Sequence, residues 1–335
     1  MKPLITLVAL VALQGIAPRW TPLSTGVEAR LRGISAVNDR VVWASGANGT
    51  IVRTADGGAT WQHLRIAGAE KLDFRDIDAV DERTAYALSI GPGELSRIYK
   101  TSDAGATWSE QFVNRDARAF FDAMAFWDEN RGIAVSDSVD NAFVILVTGD
   151  GGRTWSRVPA AQLPPALANE GFFAASGTNV ATSGRDHVWL GTGAAAEARV
   201  LRSSDGGRTW RLATTPIAAG PSAGIFSIAF SDTQHGLIVG GDYKLETQAV
   251  KNAAITSDGG ATWTTVSGLS GFRSVVTYLS ADGRSAIAVG PSGSDLSRDR
   301  GATWTPLAGP GFHTFSKSRT GSFGFAAGER GAIGR

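Results

Sequence analysis

The chain has no cysteine in its 335 residues. No disulfide staples it, and no thiolate can hold a metal or act as a nucleophile. Histidine is nearly as scarce. His63, His187, His235 and His313 lie far apart, without the close pairing that metal sites use, and no cofactor is expected. Charge of one sign is missing too. With 32 basic and 31 acidic side chains the formal net charge is +1, which gives no electrostatic reason to expect nucleic acid or an anionic membrane as partner. Long apolar runs are confined to the start, MKPLITLVALVALQGIAP, where one lysine precedes an apolar run from Leu4 to Leu13. That run is too short to cross a bilayer and suits the core of a signal peptide. Gly15 and Ala17 have the spacing of a cleavage site. Residues 1–17 are therefore read as a signal peptide, and 18–335 as one exported, monomeric, periplasmic or extracellular domain without a membrane span. Pro18 just after the cut disfavours cleavage, and an uncleaved apolar tail is the alternative.

Glycine is abundant, at 42 residues, and much of it sits in one recurring phrase. SSDGGRTW (203–210) returns as TADGGATW (54–61), TSDAGATW (101–108), TGDGGRTW (148–155), TSDGGATW (256–263) and SRDRGATW (297–304). Its aspartates, Asp56, Asp103, Asp150, Asp205, Asp258 and Asp299, are spaced 47, 47, 55, 53 and 41 residues apart. A period of this size marks a repeat architecture such as a propeller. Each phrase lies between two short, alternating, β-branched runs, as GTIVRT and TWQHL flank Asp56. It is thus a hairpin turn. The aspartate accepts from backbone N–H groups one to three residues on, glycine supplies positive φ, and the tryptophan packs between neighbouring units. A calcium loop would need further oxygen ligands at alternate positions, where this chain has Gly, Ala, Arg or Thr.

Upstream of each phrase the chain reads strand, turn, strand, loop, strand, which with the strand after the phrase makes a four-stranded blade. Six full units leave two remnants. HTFSKSRTGSFGFAAGERGAIGR at the C-terminal end reads as three strands, and PRWTPL (18–23) resembles the fourth, as in ATWTPL at 302–307. Joined, they complete an all-β, seven-bladed propeller closed by its N-terminal strand, with no open sheet edge. AAQLPPALANEG (160–171) is the longest irregular connection and carries at most one helical turn.

The repeated turns occupy one face, so a site is expected on the other, around the channel. Arg32, Arg75, Asp122, Arg273 and His313 fall in one column at the start of the first strands, each after a large apolar residue; the fourth and fifth units break the pattern. The ends of the second strands add Asp137, Asp140, Asp242, Tyr243, Glu329 and Arg330. A charged funnel follows. Arginines there would hold a carboxylate or phosphate bidentately. Arg32, Arg75, Arg273, His313, Asp242 and Arg330 are the binding candidates. Asp76, Asp122 or Asp137 would serve as general acid and Tyr243 or Asp242 as nucleophile, since glycoside hydrolysis needs two carboxyls across an opening. A solvated channel of mutually paired charges is the plainer alternative. Arg185 and Asp186 read as a structural pair on the wrong face, and Trp43, Trp127 and Trp189 as core.

The phrase Ser/Thr-x-Asp-x-Gly-x-Thr-Trp resembles the Asp-box, or BNR repeat, of sialidases and related propellers. Units such as GANGTIVRTADGGATW look most like the photosystem II stability/assembly factor family and its bacterial relatives. That resemblance implies seven blades, an exported form and a binding or assembly role toward a protein, glycan or anionic small molecule, with no catalytic residues to carry over. Sialidases imply an arginine triad, a Tyr–Glu pair and six blades. Of their Phe-Arg-Ile-Pro motif only Phe74-Arg75 is present, in FRDI. A binding scaffold is the leading expectation, and a glycan-active hydrolase or lyase the alternative.

Overall fold

The short alternating runs form 28 strands in seven four-stranded antiparallel sheets, in a computed structural model that describes residues 18–335. The signal peptide expected at 1–17 lies outside the described residues. Six blades run from inner to outer strand in chain order, and the seventh takes its outer strand from the N-terminal end. The first blade begins with Leu31–Ala36, the second with Asp73–Ala79, the third with Phe121–Phe126 and the fourth with Val180–Ser183. The fifth begins with Ala223–Phe230, the sixth with Val275–Tyr278 and the seventh with Thr314–Lys317.

The ring closes through its ends. Pro22–Ser24 pairs antiparallel with Ala332–Gly334, with Leu23 opposite Ile333. Thr21 and Arg335 exchange backbone hydrogen bonds of 2.7 and 2.8 Å. Trp20 lies 5.0 Å from the Phe312 ring and packs with Val275 and Ile287 of the sixth blade. It does there what the repeat tryptophans do elsewhere: Trp304, for example, fills the seam against Leu237 and Val239 of the preceding blade. A large ring in each seam removes much apolar surface from water.

The repeated turns are closed hydrogen-bond cages. In the fifth blade Asp258 Oδ1 accepts from the Thr256 hydroxyl at 2.8 Å and from the Thr262 N–H at 2.9 Å. Its Oδ2 accepts from the Thr262 hydroxyl at 2.6 Å, while the Thr256 hydroxyl oxygen accepts from the Gly260 N–H at 3.0 Å. The main backbone donor is thus four residues on, one step beyond the sequence expectation; Asp205 and Asp258 add a donor three residues on. Gly259 and Gly260 sit at φ +70° and +82°, the left-handed region where a side chain is strained.

Neighbouring inner strands are stitched by side chains. The Ala79 N–H donates to Ser35 Oγ at 3.1 Å, the Met124 N–H to Asp76 Oδ2 at 2.7 Å and the Val276 N–H to Ser227 Oγ at 2.9 Å. The fourth blade departs from this frame. Before its short inner strand, residues 174–178 cross the channel. Arg75 donates to the Ala174 carbonyl at 2.9 Å, Ser176 Oγ donates to the Ser274 carbonyl at 2.8 Å, and Thr178 Oγ1 donates to Ser227 Oγ at 2.8 Å. Gly177, at φ +73°, lies so close to Asp76 that a Cβ would come within 2.2 Å of its carboxylate. This segment divides the channel into an upper funnel and a lower pocket of about 310 Å³ lined by Asp76, Asp78 and Thr178.

Candidate binding funnel

The repeated turns join third to fourth strands on one face. The funnel opens on the other, among the loops that join second to third strands and blade to blade. Its cavity is about 600 Å³, within the range of small-ligand sites. Local backbone irregularity aims the walls. The pairing of first with second strands slips between Leu31 and Gly33, Phe74 and Asp76, Phe121 and Ala123, and Ile225 and Ser227. The residue left over in each bulge is Arg32, Arg75, Asp122 and Phe226, and all four line the cavity. A β-bulge re-aims one side chain out of the pleat alternation, and here four blades use it at the same height.

The first, second and seventh blades make a cationic wall. Arg75 Nε faces Asp73 at 2.9 Å, and His313 Nε2 lies 2.7 Å from Glu329 Oε1. Each of those two carboxylates, which act on Arg32 as counter-charges, gives one oxygen to another residue, and Asp73 Oδ1 is buried without a partner among the described residues. Arg32 Nε is buried with no hydrogen-bond partner among the described residues. Burial, and then repulsion from Arg75, bring the Arg32 guanidinium down to about 10. Burial also lowers His313, with Arg32 acting in the same direction.

The third blade supplies an acidic wall. Asp122 is 1% exposed, and its Oδ2 has no partner among the described residues. Burial and then the charge of Asp137 hold Asp122 well above the usual carboxylate range, while backbone N–H groups of Asp137 and Ala174 pull it down less. Asp137 accepts from the Phe172 N–H at 2.8 Å, and burial raises it to about 6.

Aromatic rings make the third wall. Phe173 stacks on Phe226 at 4.0 Å, and Phe226 meets Phe272 edge-on at 4.6 Å. Tyr243 leans over both Phe173 and Phe226 at 6.2 and 6.1 Å. The connection carrying Phe172 and Phe173 is pinned by Glu170. Its Oε1 accepts from Thr192 Oγ1 at 2.7 Å and Arg199 Nε at 2.9 Å, and its Oε2 accepts from Arg199 Nη2. The Glu170 side chain is fully buried, so the pair compensates a charge that could not stand alone.

Of the residues singled out in the sequence, Arg32, Arg75, Asp122, Asp137, Tyr243 and His313 share this cavity. The others lie elsewhere. Arg273 has the expected column position, but it turns into the blade and meets Asp295 at 2.6 Å, both side chains fully buried. Phe272 faces the cavity beside it. Asp76 sits below the plug in the lower pocket, where it accepts from Met124 and burial raises it well above the usual range. Asp242 accepts from the Lys244 N–H at 2.9 Å and so closes its own turn. Arg330 is exposed on a turn at φ +50°, and Asp140 pairs with Arg118 at 2.7 Å on the rim. Asp186 pairs with Arg131 of the preceding blade at 3.3 Å, not with its neighbour Arg185. Trp43 and Trp189 are core, and Trp127 is partly buried, donating to the His187 carbonyl at 2.8 Å. The aromatic wall and Glu170 escaped the sequence reading. The signal for the wall was GFF at 171–173, GIF at 224–226 and GF at 271–272, each opening a blade at the height of the arginines.

The rim carries apolar side chains among its ion pairs. Among the described residues five large hydrophobic side chains are exposed, and Leu95, Tyr243, Leu245 and Val250 belong to loops on the funnel face. The fifth, Phe323, is covered by Arg335 on the opposite side.

No family model matches the chain, and no curated protein sequence matches it. Solved structures do. A structure of YCF48 bound to D1 peptide is 17% identical, covering 95% of this chain and 96% of that one, with a TM-score of 0.67. YCF48 from Cyanidioschyzon merolae is 19% identical over 95% of this chain and 98% of its own, with a TM-score of 0.64. U3-55K is similar at 12% identity over 94% and 97%, with a TM-score of 0.66. At these identities the likeness is one of fold: the chain is a seven-bladed propeller, and its resemblance to assembly-factor propellers holds at that level.

Proposed function

We propose that this propeller is a binding and assembly scaffold whose funnel takes a carboxylate-bearing segment of a protein partner. One observation carries the reading. Arg32 presents a half-buried guanidinium to the cavity, its Nε without a partner among the described residues, while Asp73 and Glu329 beside it each give one oxygen to Arg75 and His313. A desolvated N–H donor without a partner is costly, and an incoming carboxylate with bidentate geometry relieves that cost. The aromatic wall gives the adjoining side chain an apolar seat, and Leu245 and Val250, exposed on the loop that carries Tyr243, offer apolar surface beyond it to a protein partner. YCF48, of similar fold, is recorded bound to a peptide, which agrees with a peptide-sized occupant.

The test uses the peptide acetyl-Gly-Ala-Phe as free acid and as C-terminal amide, titrated by calorimetry. The acid binds, the amide binds about tenfold or more weakly, and Arg32→Gln costs the acid a similar factor, as expected for a charge-assisted hydrogen bond. Equal binding of acid and amide, or none of either, contradicts the reading. Export with loss of residues 1–17 belongs to the same proposal; the intact mass of protein recovered from an exporting host tests it.

A glycan-active hydrolase is the second reading, favoured by Asp122, Asp137 and Tyr243 lining one cavity with both carboxyls raised. Turnover of acidic or neutral glycosides that vanishes in Asp122→Asn and Asp137→Asn would support it. Turnover surviving both would clear these carboxyls.

A further inference from the structure

The acidic wall stands beside the cationic one, and a scaffold that captures carboxylates should not place two carboxylates there. Asp122 is almost fully buried, lines the cavity, and leaves Oδ2 without a partner among the described residues. No cation among the described residues bridges it. Arg75, the nearest, directs Nε to Asp73 and Nη1 to the Ala174 carbonyl. Asp137 comes from the adjacent strand Gly132–Val139 and is held by the Phe172 N–H. Around the same cavity stand Arg32 from the first blade, His313 with Glu329 from the seventh, and Tyr243 and Glu246 from the fifth. A ligand carboxylate held by Arg32 and by the free Nη2 side of Arg75 would meet Asp122, which stands near enough to Arg75 to feel its charge. Were Asp122 and Asp137 both ionised, three carboxylates would share one desolvated space, which like-charge repulsion forbids.

We infer that Asp122 binds as a neutral acid, its carboxyl O–H donating to the same ligand carboxylate that Arg32 and Arg75 hold, so that capture of acidic segments is strongest at low pH. This rests on the scaffold reading above. No bond to carbon changes. The proton stays on Asp122 Oδ2, and the ligand oxygen accepts it as a hydrogen bond. Burial and the neighbouring Asp137 already favour that protonated form in the free protein. The sign follows from linkage. Because the complex requires the proton, affinity is full below the value at which free Asp122 ionises and falls as pH rises through it, by up to about tenfold per unit. Asp137, raised by burial to about 6, titrates inside the same window, and a further variant, Asp137→Asn, separates its contribution from that of Asp122.

The experiment is calorimetric titration of acetyl-Gly-Ala-Phe into the full folded chain from about pH 5 to about pH 9. Parent protein, Asp122→Asn, Asp122→Leu and Arg32→Gln are compared. The asparagine keeps a donor of the same shape and has nothing to ionise. Expected results are a parent affinity that falls at the alkaline end, an Asp122→Asn affinity within about threefold of the parent at low pH but flat above it, and a loss of about tenfold or more in Asp122→Leu at every pH. A parent profile that is flat, or one that falls in step with Asp122→Asn, overturns the inference. Unchanged binding by Arg32→Gln at every pH sinks the scaffold reading instead, whatever Asp122 does.

Discussion

The two faces of this propeller use the same residue for opposite ends. On the face of the repeated turns, Asp56, Asp103, Asp150, Asp205 and Asp258 each receive hydroxyl and N–H donors from their own octapeptide and are held down at about 2. On the funnel face Asp122 and Asp137 have few donors and much burial, and they are held up. An aspartate whose charge is satisfied locally is a building element and resists change of state. An aspartate buried with few donors holds its proton to higher pH and is available to a ligand. Burial raises the funnel pair, and the hydroxyl and N–H donors of the octapeptide lower the exposed turn set.

The largest expected effect comes from removing a charge whose partner cannot reach water. Arg273 occupies the binding column yet serves Asp295, so Arg273→Leu should cost about 3–5 kcal/mol of stability by stranding the buried carboxylate. Chemical denaturation measures it. A cost near zero would return Arg273 to the funnel and blur the division between the faces.

A smaller effect of opposite sign comes from Asp137. Its folded value is raised from 3.8 to about 6, so the folded chain holds this proton more tightly than the unfolded chain. The contribution is complete at pH below the ordinary carboxylate value and is lost as pH rises through about 6. Asp137→Asn should therefore be more stable than the parent by about 3 kcal/mol near neutral and alkaline pH, and equal to it near pH ~3. Denaturation curves at the two pH values decide. No gain at high pH would mean that Asp137 is better solvated than its place in the wall implies.

What the sequence disclosed, and what it withheld, follows the same division. The turn cage is local: Thr256, Asp258, Gly260 and Thr262 lie within seven residues, so their chemistry can be read from the text, and the tryptophan that follows marks the seam. Closure was legible because PRWTPL repeats the wording of a fourth strand. The funnel is non-local. Arg32, Arg75 and Asp122 share a column because each sits in a bulge, but nothing in the text told Arg273 to turn toward Asp295, 22 residues on. Phe226 occupies the same bulge position as the arginines, yet a phenylalanine reads as core wherever it stands. The fourth blade broke the column because Ala174 to Thr178 leaves the sheet to cross the channel, held by bonds to residues about 50 to 100 positions away. Glu170 was hidden for the same reason: Arg199 lies 29 residues on.

Carbon-detected NMR titration of the aspartate carboxyls tests the contrast between the faces most directly. The account predicts that Asp56, Asp103, Asp150, Asp205 and Asp258 ionise near 2, that Asp137 ionises near 6 and that Asp122 ionises well above the usual carboxylate range. Funnel and turn carboxyls titrating together in the ordinary acidic range would contradict it.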